Sequence, residues 1–206
     1  MRLSTVDLQK RLNHDKPKGL PLVLTILIAW LAGAVFIFAL APYGFWPVAL
    51  VSPAILYALL MPDMTGKRAF VIGQAYGTGL WCVGAFLLYT SIHVYGDTPV
   101  WLALIMIALM GLVMGLFHGF LALIFNRVVG KQPLSFAALW VLQEWMKTWL
   151  FTGFPWLFVG YAFTEQYWLS SLAPVAGVFA VSFVAVLLAA SLVELLRRRG
   201  GYMIPT

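Results

Sequence analysis

Residues 140–161 read WVLQEWMKTWLFTGFPWLFVGY, an apolar, tryptophan-rich run that carries one acid, Glu144, and one base, Lys147, in its first half. Three residues apart on a helix, the two side chains share a face and partly neutralise each other. Trp140, Trp145, Trp149 and Trp156 crowd around them. A charged side chain in hydrocarbon costs at least about 2.5–3.5 kcal/mol, so such groups face a protein interior or a wet cavity rather than lipid. The pair therefore has two readings. In one it is an intramembrane ion pair that fixes how its helix packs, with the Lys147 stem reaching to the outer interface. In the other it belongs to a site for lipid or substrate head groups. The two are compatible.

The rest of the chain is as apolar as this stretch. Hydrophobic residues fill 63% of the 206 positions and charged ones 10%, against about 25% charged in a soluble domain, which makes this an integral membrane protein. At about 20 residues per spanning helix, the length accommodates about six spans and no large soluble domain. The expected fold is an all-α polytopic transmembrane bundle. The single cysteine, Cys82, excludes a disulfide within the chain.

In order, a polar segment over residues 1–18 leads into a transmembrane domain over 19–197, and a tail follows over 198–206. The spans are expected at about 21–41, 46–61, 69–92, 99–126, 133–151 and 175–196. The turn APYGFWP (41–47) combines chain breakers with interfacial aromatics. Glycines at 73, 77, 79 and 84, and at 111, 115 and 119, mark faces through which membrane helices pack closely. Pro133 suits a first helical turn, and Gly153, Pro155 and Gly160 interrupt the chain between the last two spans.

The basic residues test this layout. The Lys and Arg of residues 2–18, Lys67 and Arg68, Arg127 and Lys131, and Arg197, Arg198 and Arg199 all fall on alternate connections, as the positive-inside rule requires. Both termini are expected in the cytoplasm, and the loops after spans one, three and five outside. Lys147 is the one basic residue left over, near the outer end of span five. The net charge of +6 thus reflects topology, and the scatter of basic residues over short loops argues against nucleic acid as a partner.

Other polar residues give weaker signals. His93 and Asp97 share an outward loop with Tyr95; two such side chains are too few for a metal site, and loop structure is the favoured role. His118, between Gly115 and Gly119, is expected to hydrogen-bond a neighbouring helix rather than relay protons. Ser91 and Ser182 lack the context of a nucleophile elbow, and Cys82, in an apolar run, reads as an inert thiol.

Several blocks carry a resemblance to a known family. APYGFWP (41–47), YTSIHVYG (89–96), Glu144-Trp145 followed by TGFPWL (152–157), Gly160-Tyr161, and Leu172-Ala173-Pro174 with Gly177 resemble the membrane part of bacterial apolipoprotein N-acyltransferases, in matching order over residues 20–195. The resemblance implies the bacterial inner membrane and transfer of an acyl chain from phospholipid to the N-terminal diacylglyceryl-cysteine of lipoproteins. It also implies a thioester on a catalytic Cys, assisted by Glu and Lys, in a periplasmic nitrilase-like domain. These residues do not include that domain, so no catalytic residue is assigned and neither Cys82 nor Glu144 substitutes for one.

On this reading the chain is a truncated portion, not catalytic alone, with no cofactor or metal, whose partners are membrane phospholipid and, through the complete enzyme, lipoprotein substrates. The candidate outer-face residues are Glu144, Trp145, Lys147, Trp149, Phe154, Pro155, Trp156 and Tyr161, with Ser91 and Tyr95. Lys147 stands where Arg is common in the family and Leu87 where Trp is common; Lys147 is a candidate to meet a phosphate as a point charge. A noncatalytic scaffold for a separate acyltransferase subunit and a small transporter are the alternatives.

Overall fold

Helix forms in each of the six apolar segments, and no strand forms among the described residues, which in this computed structural model are 20–150 and 153–200. The expectations for residues 1–18 and for 201–206 lie outside them. Six longer helices follow: α1 (Leu22–Ala34), α2 (Pro47–Leu60), α3 (Gly66–Gly84), α4 (Val100–Arg127), α5 (Pro133–Met146) and α6 (Ala173–Gly200). A 3₁₀ turn, Val35–Ala39, extends α1. Local chemistry sets several starts. Pro47 and Pro133 open their helices, where a missing N–H costs nothing, and the Thr65 side chain caps α3 by accepting from the Arg68 N–H.

Among the described residues three helical stretches are long and apolar enough to cross a membrane: Leu22–Ala39, Val100–Arg127 and Ala173–Arg199. The segment expected as one span over 69–92 is instead two helices, Gly66–Gly84 and Leu87–Tyr95, bent by 50° at the break between them, and it adds a fourth crossing only where the pair counts as one span. The bend falls at Gly84, where a side chain would strike Leu157, and continues through a π-helical turn at Thr90–Tyr95; glycines and π-turns are common causes of sharp kinks. The helices α2 and α5 have 14 residues each, about 21 Å at 1.5 Å per residue. The fifth segment ends as helix at Met146 rather than near 151, because the Lys147 carbonyl accepts the Phe154 N–H at 2.7 Å and folds the chain back.

Helix α3 is the central post, packed between α1 and α4. Two seams hold it by direct backbone approach. A methyl at Gly33 of α1 would fall on the Tyr76 carbonyl oxygen, and one at Gly79 on that of Trp30; on the other side Gly77 meets Gly115 of α4. Small residues at such crossings are how membrane helices gain packing without a hydrophobic drive between them. The α1, α2 and α3 helices are also tied by a buried hydroxyl relay: Ser52 donates to the Ala32 carbonyl at 2.6 Å, so the Tyr76 phenol is the donor to Ser52, also at 2.6 Å. On the remaining side α6 packs against both α5 and α2, and Tyr57, Phe125, Phe136 and Trp140 form a contiguous ring cluster.

The connections sort to two ends. At one, Arg68 donates to the Leu20 carbonyl at 2.9 Å, Lys131 donates to the Pro62 carbonyl at 2.9 Å and pairs with Asp63 at 3.5 Å, and the Arg127 side chain lies against Gly66. At the other, Trp46 meets Phe163 and Trp168.

The seam yields a test. Gly79→Val is expected to lower stability by about 1–3 kcal/mol or more through overpacking against backbone that cannot yield. Thermal aggregation in detergent, read by size exclusion, should show a clear loss against the parent, whereas Val71→Ala on the exposed face should show little.

Candidate functional site

The end of α5, the loop after it and the start of α6 build one unit around Glu144. Its side chain is 1% exposed. Oε1 accepts from the Trp140 Nε1–H one turn earlier, at 3.0 Å, and from the Val159 backbone N–H, at 2.9 Å. The carboxylate therefore fastens the returning chain to the helix it has just left. Next to that anchor the Gly160 N–H donates to the Ser182 hydroxyl of α6 at 2.8 Å, so the 3₁₀ turn Val159–Phe163 is pinned on two sides. Leu157, at φ +58, takes a left-handed backbone conformation uncommon outside glycine. Its side chain is packed into the space left by Gly84.

Lys147 is equally buried, at 1% exposure, and does not reach the interface. It makes no direct salt bridge with Glu144, though the two opposite charges still act on each other. Among the described residues ion pairs join Lys131 to Asp63, and Arg197 and Arg198 to Glu194. The Lys147 ammonium instead lies 5.4 Å from the ring centres of both Trp81 and Phe158. Such cation–π contacts strengthen as water is removed, to about 2 kcal/mol or more. The reason for the separation is geometric: Glu144 is committed to Val159, while Lys147 sits where α5 has ended and its side chain turns towards α3.

Above this base lies an aromatic shelf. Phe154 stacks on Trp156 with ring centres 4.9 Å apart and touches Trp81 at 5.4 Å. Tyr161 stacks on Phe158 and donates to the Pro155 carbonyl at 3.3 Å. Burial, followed by the nearby Glu144 carboxylate, raises the Tyr161 phenol above its ordinary range and keeps it a donor. Pro155, Trp156, Leu157 and Tyr161 face Ile37, Leu40 and Leu87 across a cleft of about 510 Å³. That volume lies within the range of small-ligand sites, about 300–1,000 Å³, and the lining is mostly apolar, with Thr164 and the Tyr161 phenol among its polar groups.

Of the residues singled out in the sequence, Glu144, Lys147, Phe154, Pro155, Trp156 and Tyr161 come together here. Trp145 and Trp149 pack on each other at 5.4 Å and are half exposed, on the outer side of the helix end. Ser91 and Tyr95 are exposed on the π-helical turn, and no hydrogen bond or ring contact links them to the Glu144 unit. Thr152 lies outside the described residues. The sequence reading missed Trp81, Val159 and Ser182. Trp81 was hidden because its partner is 66 positions away along the chain, Val159 because only its backbone takes part.

His93 is bonded through Nδ1 to the Thr98 carbonyl at 2.7 Å, within its loop. His118 does not make the interhelical hydrogen bond expected of it: Nδ1 has no partner, and the ring packs between Tyr76 and Trp140, each 5.3 Å away. The approach of Gly77 to that nitrogen leaves no room for a polar side chain there. No group of His, Cys, Asp or Glu among the described residues is placed to hold a metal ion.

Comparison with known proteins places this architecture. Residues 32–191 match the family model described as the apolipoprotein N-acyltransferase N-terminal domain. The chain is 39% identical over 179 residues to the apolipoprotein N-acyltransferase of Pseudomonas syringae pv. tomato, covering 84% of this chain and 35% of that protein. It is 41% identical over 178 residues to that of Azotobacter vinelandii (83% and 34%) and 36% identical over 157 residues to that of Vibrio parahaemolyticus (74% and 31%). It thus spans about a third of the length of the curated relatives it matches.

Glu144→Ala strands the Val159 and Trp140 donors in an apolar interior, at about 1–3 kcal/mol for each unpaired group. The thermal midpoint in detergent is expected to fall substantially. Glu144→Gln, which keeps an acceptor oxygen, should recover most of that loss; equal losses for both variants would show that charge, not the two hydrogen bonds, holds the loop.

Proposed function

The chain belongs to the apolipoprotein N-acyltransferase family, whose N-terminal domain it matches, and from that premise we propose that it is the membrane domain of an acyltransferase of lipoprotein maturation. In the complete enzyme an acyl chain passes from phospholipid to the N-terminal diacylglyceryl-cysteine of a lipoprotein, at a catalytic centre to which none of these residues is assigned. The domain lies in the bacterial inner membrane as six spans with both termini in the cytoplasm. Two of the spans, α2 and α5, are short and cross by local thinning of the bilayer. The gathering of Arg68, Arg127 and Lys131 at one end supports this orientation.

The observation that carries the functional reading is the cleft under the aromatic shelf, at the end opposite the basic residues. There Pro155, Trp156 and Tyr161 offer an apolar platform to an acyl chain of the outer leaflet, with Phe154 stacked beneath. Glu144 and Lys147 act from below, one holding the returning loop and the other bracing Trp81 against Phe158. Trp145 and Trp149 anchor the helix end at the interface, and Ser91 and Tyr95 sit on the flank where the substrate arrives.

Two measurements test this. In a Cys82→Ala background, Asp97→Cys is expected to react with a membrane-impermeant maleimide on intact spheroplasts and Lys67→Cys only after permeabilisation; the reverse pattern overturns the orientation. In a complete enzyme carrying this domain, Trp156→Ala is expected to lower kcat/KM for the phospholipid donor about tenfold, equivalent to about 1.4 kcal/mol. An unchanged value would remove the platform role.

A further inference from the structure

The end of the bundle that gathers the basic residues does not neutralise them evenly. Lys131 pairs with Asp63 at 3.5 Å, and Arg197 and Arg198 pair with Glu194 at 3.6 and 3.2 Å. Both acids of this end are thereby engaged, and among the described residues no carboxylate meets Lys67, Arg68 or Arg127. The flanking residues 1–18 add five bases against two acids and so bring no net counter-charge. The three cations without a carboxylate come together where α3 begins and α4 ends. Gly66 is buried, and a methyl there would fall 2.9 Å from Arg127 Nε, so the Arg127 side chain lies over the first turn of α3. Lys67, exposed, and Arg68, held to the Leu20 carbonyl at 2.9 Å, are the next residues of that turn. Like charges so gathered raise a positive potential that nothing else in this corner offsets.

Below the cations the same two helices present apolar surface. By their spacing Lys67, Phe70 and Val71 share a face of α3, and Phe120, Leu123 and Arg127 share one of α4. The Phe70 and Phe120 rings meet edge to face at 5.4 Å and join the two faces; Phe120 is 52% and Val71 40% exposed. From Arg127 back to Phe120 is two helical turns, about 10 Å. The headgroup layer on each side of a bilayer is about 5–8 Å deep, so a lipid with its phosphate at Arg127 brings its upper methylenes to the rings.

We propose that this corner binds one anionic phospholipid, its phosphate between Arg127 and Lys67 and one acyl chain on the Phe70–Phe120 pair. Arg127 offers the phosphate oxygens a fork of donors and Lys67 a point charge, while Arg68 adds to the attraction. A soluble anion would meet the cations and leave the ring face unused; a lipid of net negative charge meets both. The inference needs the bundle to lie in a bilayer, but it is independent of acyl transfer and of which way the bundle faces.

The test places the whole chain in phosphatidylcholine nanodiscs with a trace of phosphatidylglycerol or phosphatidylcholine that carries a diazirine high on one acyl chain. Photolabel is mapped by mass spectrometry. Phosphatidylglycerol is expected to label Phe70, Val71 and Phe120 at least about tenfold more than the phosphatidylcholine probe does, while exposed Leu109 in the middle of α4 takes both alike and reports that the helix is in lipid. Arg127→Gln and Lys67→Gln, both at exposed positions, are each expected to cut that preference about fivefold. Arg198→Gln removes the same charge from the same end, but from a cation already paired with Glu194, and is expected to leave the preference unchanged. Equal labelling of the corner by the two lipids on the unaltered chain overturns the proposal. An equal loss in Arg198→Gln does so too, since the attraction would then belong to the whole end. Displacement of the phosphatidylglycerol label by inorganic phosphate, beyond that by sodium chloride of equal ionic strength, would assign the cations to free phosphate and overturn the lipid site.

Discussion

The bond from the Val159 N–H to the Glu144 carboxylate is the contact on which the end of the molecule opposite the basic residues depends. A chain that leaves α5 at Met146 and re-enters the bundle as a 3₁₀ turn must hide several backbone donors in an apolar setting, where unpaired groups are heavily penalised. One carboxylate, oriented by the Trp140 indole, accepts the first of them, and the Ser182 hydroxyl accepts the next. Everything above that point, including the Phe154–Trp156 stack and the Tyr161 contact to Pro155, inherits its position from this clamp. The buried acid is thus best understood as a fastener for backbone.

Lys147 completes the same unit by a different physical route. An ammonium enclosed by protein with no carboxylate at salt-bridge distance gains from electron-rich surfaces, and Trp81 and Phe158 supply two. Because Trp81 belongs to α3 and Phe158 to the returning loop, the cation joins the central post to the shelf. A single charge does here what a packed aliphatic residue would do less selectively, since it also fixes the orientation of both rings.

Much of the fold was legible because membranes impose simple rules. Apolar runs bounded by Pro42, Pro47, Pro99 and Pro133, with basic residues on alternate turns, marked the helices, and the glycine spacing marked the seams at Gly77 and Gly115. The bend after Gly84 was not legible, because the side chain that fills it, Leu157, is distant in sequence and reaches it only after the loop has folded. In the site, Glu144, Lys147, Phe154, Pro155, Trp156 and Tyr161 were identifiable as charge and aromatics in an unusual place. The partnership drawn between Glu144 and Lys147 from their three-residue spacing is realised as charge acting across the unit but not as a direct ion pair, since α5 stops at Met146, between the two, and each side chain takes other direct partners.

The seams on either side of α3 have a mechanical corollary. Where glycine meets carbonyl oxygen with no side chain between, as at Gly33 with Tyr76 and Gly79 with Trp30, neither helix can roll or slide without a backbone collision. The slab of α1, α3 and α4 is therefore a stiff beam, and it ends at the 50° elbow beyond Gly84. The segment past that elbow carries Leu87 on the rim of the cleft. The angle of this elbow therefore also sets where that rim stands relative to Trp156 and Tyr161 across the cleft.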